Sequence, residues 1–141
     1  MQVDATVIGS IGPGLLVMLG VSSDDNESDA EYLVTKIANL RIFSDDANRF
    51  SRSVADLGGE VLVVSQFTLY ADTRRGRRPD FTRAAPSGLA ERLYEHTVSL
   101  LRETGLTVAT GRFQAYMQVR SQNDGPVTIM LDSADRHRPR H

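Results

Sequence analysis

Short apolar runs and helical stripes alternate along the chain. Val3 to Ile8 and Leu15 to Leu19 are expected β segments. Between them Gly12-Pro13-Gly14 forms a turn in which proline sets φ and glycine permits positive φ, so the pair reads as a hairpin. Ala30, Leu33, Ile37 and Leu40 then recur at three-and-four spacing behind Asp24, Asp25 and Asn26, predicting a capped helix to about Arg41. Asp45 to Gly59 is polar and aperiodic and is expected to be a loop with at most a turn of helix. Val61 to Tyr70 is the strongest strand, and its opening Val61-Leu62-Val63-Val64 is apolar on both faces, which marks it as central. Gly76 and Pro79 interrupt the segment 72 to 83, so its arginines are expected on a loop directly after that strand. Ser87 is the expected cap of a second helix to about Thr104, with Leu89, Leu93, Val98 and Leu101 inward and Gly105 as its stop. Thr107 to Thr110, Ala115 to Ser121 and Val127 to Leu131 return to β, and residues 134 to 141 read as a frayed, disordered basic tail. The order ββαβαβββ predicts an α+β domain, a mostly antiparallel sheet or partly closed barrel covered by two helices.

Composition narrows the function classes. At 141 residues the chain makes one ordinary domain. It has no cysteine, which excludes a disulfide framework, a thiolate metal site and a cysteine nucleophile, and fits a reducing, cytoplasmic compartment. The longest apolar run, Leu15 to Leu19, is far short of a membrane span, and no charged leader with a cleavage site opens the sequence, so neither insertion nor export is expected. The net charge of −2 hides an asymmetry: residues 1 to 60 carry 4 basic and 10 acidic side chains, residues 61 to 141 carry 12 and 8. Arg74, Arg75, Arg77, Arg78 and Arg83 crowd into ten positions, either as a solvated charge run or as forks for the phosphates of a polyanion.

Several chemistries can be set aside. Gly9-x-x-Gly12-x-Gly14 precedes a strand rather than a helix and lacks a following Lys-Ser/Thr, so it is a turn and not a phosphate loop. The acidic stretch from Asp24 has Thr35 where a calcium loop needs its twelfth-position glutamate. His137 and His141 would chelate a metal only if the tail became helical, and His96 stands alone in a helix, so no metal is expected. No nucleophile elbow is present. What remains is Ser65-Gln66-Phe67-Thr68-Leu69, two hydroxyls and an amide at the end of an apolar strand, and Asn123-Asp124-Gly125-Pro126-Val127-Thr128, a tight connection around a Gly-Pro bond. Taken alone, the first could serve only neighbouring backbone and the second could be a plain turn.

Together these two segments resemble the signature motifs of the D-aminoacyl-tRNA deacylases. The likeness extends through IGPGLLVMLGV at 11 to 21, KIANLRIF at 36 to 43, GGEVLVVSQFTLYADTRRGRRPDFTRAAP at 58 to 86 and MQV at 117 to 119, and covers roughly residues 3 to 133 of a single domain over 1–133. The resemblance implies a homodimer that hydrolyses, without metal or cofactor, the ester joining a D-amino acid, or glycine mischarged on tRNA-Ala, to the terminal adenosine of tRNA. Ser65, Gln66 and the backbone of Phe67 and Thr68 would hold the adenosine and the scissile carbonyl. Thr68 as nucleophile and assistance by the ribose 2′-OH are both compatible with it, and the absence of a neighbouring histidine favours the second. Asn123, Gly125, Pro126, Thr128 and Met117 would bind the substrate, with a cis Gly125-Pro126 backbone crossing the dimer interface to exclude L-residues. To this we add Arg74, Arg75, Arg77, Arg78 and Arg83 as contacts to tRNA phosphates. The expected partners are tRNA and a second copy, with neither DNA nor membrane. Two departures from the pattern stand out. No residue matches the arginine of a Gln-Arg pair that supports the Gly-Pro geometry, and Gln114 replaces a small glycine. The competing reading is a catalytically impaired RNA-binding homologue.

Overall fold

The structure is a computed structural model and describes residues 1–3 and 6–138. Asp4 and Ala5, inside the first expected strand, and His141 of the expected histidine pair lie outside the described residues. The chain runs β1 (Gln2–Val3), β2 (Thr6–Val7), β3 (Gly14–Leu19), α1 (Glu27–Asn39), β4 (Phe43–Ser44), β5 (Phe50–Arg52), β6 (Glu60–Ser65), α2 (Ser87–Glu103) and β7 (Thr107–Thr110). Two 3-10 turns, Phe67–Tyr70 and Ser133–His137, complete it.

The central sheet has the order β3-β6-β7, and both of its pairings are parallel. This corrects the expected antiparallel sheet or barrel. Each strand is followed by a helix-bearing crossover before its neighbour, so the next strand returns in the same direction and the sheet stays open. The expected hairpin between residues 3–8 and 15–19 does not form either: β2 pairs with β1, and β3 pairs with β6, Leu15 opposite Val61. Gly14 is required at the start of β3, where an added Cβ would come 1.8 Å from the Glu60 carbonyl oxygen. The loop expected over 45 to 59 contains β5, paired antiparallel with β4.

β6 is the centre of the molecule. Val61 and Val63 face the helices and are fully buried with Val34 and Ile37 of α1 and Val98 and Leu101 of α2. Leu62 and Val64 face the other way, under Met1, Ile8, Ile11 and Met117. The apolar doublet on both faces is thus the signature of a strand covered on two sides. Asn26 caps α1 in a reciprocal box with Asp29, whereas α2 starts from Pro86 and not from a Ser87 cap. Tyr94 of α2 donates its hydroxyl to the Val63 carbonyl at 2.9 Å, fixing the helix to the strand two residues before Ser65.

No strand forms over 115 to 121 or 127 to 131 among the described residues. One antiparallel bridge, Gln2 with Gln118, is all that ties the first of these segments to a strand. Residues 133 to 137, most of them within the tail expected to fray, form a turn: Asp132 caps it, and Arg136 reaches Asp29 of α1 at 3.2 Å, while residues 139 to 141 lie outside the described residues. No helix among the described residues is long and apolar enough to cross a membrane.

Candidate active site

Ser65 closes β6, so the first motif stands at the carboxyl end of the central parallel strand, where side chains leave the sheet and open αβ folds bind ligands. The strand ends five residues earlier than the apolar pattern suggests. The Gln66 N–H still bonds the Leu19 carbonyl at 2.8 Å, but Gln66 then bends to φ −139°, ψ 81° and the chain winds into the turn Phe67–Tyr70. That turn is closed by Leu69 N–H to the Gln66 carbonyl and Ala71 N–H to the Thr68 carbonyl. The Gln66 side-chain amide donates to the Thr68 hydroxyl. The turn exposes Phe67, which at 56% accessibility meets Phe81 edge-on with ring centroids 4.9 Å apart.

The second motif is braced by Asn123. Its Oδ1 accepts from Val127 N–H at 3.0 Å and its Nδ2 donates to the Thr128 hydroxyl at 3.0 Å, bracketing a cis Gly125-Pro126 bond. No hydrogen bond or aromatic contact among the described residues joins this loop to Gln66 or Thr68 within one chain. Met117 is half-buried, packed over Leu62 and Val64, its sulfur accepting from Arg112 N–H. Gln114, the departure noted above, has φ 62°, a left-handed conformation that glycine adopts without a steric penalty.

The arginine segment is a defined loop. Asp72 and Asp80 exchange both backbone hydrogen bonds at its base, and Gly76 takes φ 60° at its tip. Arg74 forks onto Asp72, Nε to Oδ1 at 2.9 Å and Nη2 to Oδ2 at 2.7 Å, which holds that carboxyl at about 2. Arg83 instead lies over the Tyr70 ring, 5.5 Å from its centroid. Arg75, Arg77 and Arg78 are exposed and have no ion-pair partner among the described residues. Tyr70 and Phe81, which support the motif and the loop, were missed in the sequence because their roles arise only when the loop folds back on the turn.

A half-buried carboxylate lies beyond the loop. Burial pushes Asp25 above the ordinary aspartate range, a hydrogen bond from Ser22 N–H opposes this, and the charges of Asp29, Asp132 and Asp24 add to the rise. His96 keeps Nε2 buried without a hydrogen-bond partner, and His137 accepts from its neighbour Arg136. No cluster of three or more metal-ligating side chains occurs among the described residues.

The chain matches the family model described as D-Tyr-tRNA(Tyr) deacylase over residues 1–132. It belongs to that family. A D-aminoacyl-tRNA deacylase of Heliobacterium modesticaldum is 58% identical over 132 residues, 94% of this chain and 88% of that protein. Another, of Roseiflexus castenholzii, is 58% identical over 141 residues, 100% of this chain and 90% of the relative. Among solved structures, one named c-Myc DNA Unwinding Element Binding Protein superposes with a TM-score of 0.87 at 44% identity, covering 93% of this chain and 89% of that one. Membership in this family of deacylases makes the two separate motifs candidates for one substrate site.

Proposed function

We propose that this deacylase-family chain acts as a homodimer that hydrolyses the ester between a D-amino acid, or glycine, and the terminal adenosine of tRNA. One observation carries the reading. An amide, a hydroxyl and the opening N–H groups of a helical turn stand together at the carboxyl end of the central strand, in a chain whose relatives are named for this hydrolysis. N–H groups that open a helical turn have no acceptor inside it, so those of Phe67 and Thr68 are suited to the oxyanion of a tetrahedral intermediate. Water, assisted by the ribose 2′-OH, attacks the ester carbon; the carbonyl oxygen takes the negative charge, and the intermediate collapses with the 3′-oxygen leaving and taking up the proton that the water gives up, which frees the amino acid. Gln66 and Thr68 orient the carbonyl and the ribose. A hydroxyl that accepts a bond from an amide and has no adjacent base is a poor nucleophile, which favours orientation over covalent attack.

Chirality is read by exclusion. The Gly125-Pro126 backbone of a second copy, braced by Asn123 through Val127 and Thr128, would face the substrate's α-carbon and leave room for hydrogen where an L side chain would project. Glycine, with no side chain, passes the same filter. Phosphates of the acceptor strand meet Arg75, Arg77 and Arg78, while Arg74 shapes the loop through Asp72.

The deciding experiment is deacylation of D-tyrosyl-tRNA beside L-tyrosyl-tRNA with EDTA present. Release of the D-amino acid with the L-ester spared is expected. Equal rates on both esters would sink the exclusion mechanism. Retention of tRNA with no release would leave a nucleic-acid-binding homologue, a reading in keeping with the 44%-identical structure, whose protein is named for binding DNA.

A further inference from the structure

Arg83 is held in an unusual way for a cation in an arginine-rich loop. Its guanidinium lies over the Tyr70 ring, and it has no ion-pair partner among the described residues, unlike Arg74. Its carbonyl accepts from Ser23 N–H at 3.0 Å, which fixes the main chain beneath it. Tyr70 is itself seated, since a Cβ at Gly20 would come 3.1 Å from its Cε2. Arg83 is exposed, and with Tyr70, Thr73 and Arg74 it borders a depression of about 390 Å³. A planar cation set over an aromatic ring at the rim of a cavity this size offers a stacking surface to an unpaired nucleobase.

Its position fits the substrate. In a 3-10 turn, residues three apart eclipse at a separation of about 6 Å, so Tyr70 stands directly one turn beyond Phe67. The segment 81–83 runs beside that turn, giving two platforms in succession, Phe67 with Phe81 and Tyr70 with Arg83.

We propose that Arg83, held over Tyr70, stacks the base of the nucleotide next to the terminal adenosine, so that Arg83 reads a base face and leaves the phosphates to Arg75, Arg77 and Arg78. The inference rests on the deacylase reading for the identity of the strand. Charge alone would be supplied as well by lysine, whereas stacking needs the guanidinium plane.

The test compares Arg83→Lys and Arg83→Ala on two esters: D-tyrosyl-tRNA, and D-tyrosyl-adenosine, which lacks the neighbouring nucleotide. In both variants, KM for the tRNA ester is expected to rise roughly tenfold, and the preference for the tRNA ester over the adenosine ester to fall by the same factor. A normal KM in Arg83→Lys would overturn the proposal in favour of a phosphate contact. Equal losses on the two esters would overturn it in favour of a structural effect on the turn. If the unaltered protein cleaves neither ester, the deacylase reading itself fails, and binding decides the platform. RNA hairpins with one or two unpaired 3′ nucleotides are then compared. Several-fold tighter binding of the longer overhang by the unaltered protein, lost in both variants, supports it, and equal affinities for the two hairpins overturn it.

Discussion

Thr68 accepts a hydrogen bond from the Gln66 amide, and this decides how its hydroxyl acts. Accepting that bond draws electron density from the oxygen while leaving the hydroxyl proton free to donate, which suits a group that positions the ester or the ribose. Thr68→Val keeps the shape and removes the hydroxyl. It should lower kcat/KM roughly tenfold to a hundredfold with no burst of covalent aminoacyl-protein. Complete loss of turnover, with an acyl-protein trapped in the unaltered chain, would make Thr68 the nucleophile instead. Gln114 carries a different lesson. A side chain at φ 62° pushes its Cβ toward the following carbonyl, at a cost of about 1–2 kcal/mol. Gln114→Gly removes that cost and returns part of it through the greater freedom of the unfolded chain, so urea denaturation should report a gain of about 0.5–1 kcal/mol. A loss of stability would mean that the glutamine side chain makes a contact worth more than the backbone strain.

Helix α1 and the 3-10 turn at Ser133–His137 are joined by the Arg136–Asp29 pair, against the mutual repulsion of the carboxylates gathered there. Asp25 sits at this junction with its pKa raised by burial and by Asp29, Asp132 and Asp24. A raised carboxylate pKa means the folded state binds the proton more tightly than the unfolded state. Its contribution is therefore complete below the ordinary aspartate value of 3.8 and is lost as pH rises through the folded value. Asp25→Asn, which keeps an acceptor for Ser22 N–H, should raise stability at pH 7 by less than about 1 kcal/mol after solvent screening, read as a higher Tm, with the gain vanishing toward pH 3. A gain that persists at pH 3 would assign the effect to packing rather than charge. The same elements mark what the sequence could tell. Both helices and the central place of Val61–Val64 were legible, because periodicity and two-sided apolarity are local properties. Strand direction was misread although strand-helix-strand order carried it: β3, β6 and β7 are each separated by a helical crossover, and only parallel pairing follows simply from that order. The end of β6 at Ser65 was hidden because Phe67 and Leu69 continue the apolar pattern while their side chains in fact point to solvent.

At the scale of the molecule, the covers on the two faces of the central sheet are unequal. Two helices close one face, whereas the other carries only the small cluster of Met1, Ile8, Ile11 and Met117 over Leu62 and Val64; in the segment 115 to 131, which has one bridge and no strand among the described residues, Tyr116 is 91% and Met130 92% exposed, with Ile129 also exposed. Large apolar side chains this exposed are candidates for burial against a partner. The signature motifs were legible as chemistry, and among the described residues nothing within one chain bonds the Gly125-Pro126 loop to Gln66 or Thr68. A second copy reconciles these facts if the loop of each copy completes the site of the other. Mixing two inactive variants tests this. Gln66→Ala leaves a copy with a sound loop, and Pro126→Ala leaves a copy with a sound turn. In a two-fold dimer half of the randomly reassociated pairs are mixed, and each mixed pair has one fully intact composite site out of two, so about one quarter of full activity should return. Sedimentation of the unaltered protein at twice the 15.5 kDa chain mass should accompany it. If both motifs serve the same copy, every site in the mixture carries a defect and nothing returns; sedimentation at the mass of a single chain would in addition leave the exposed side chains to something other than a second copy.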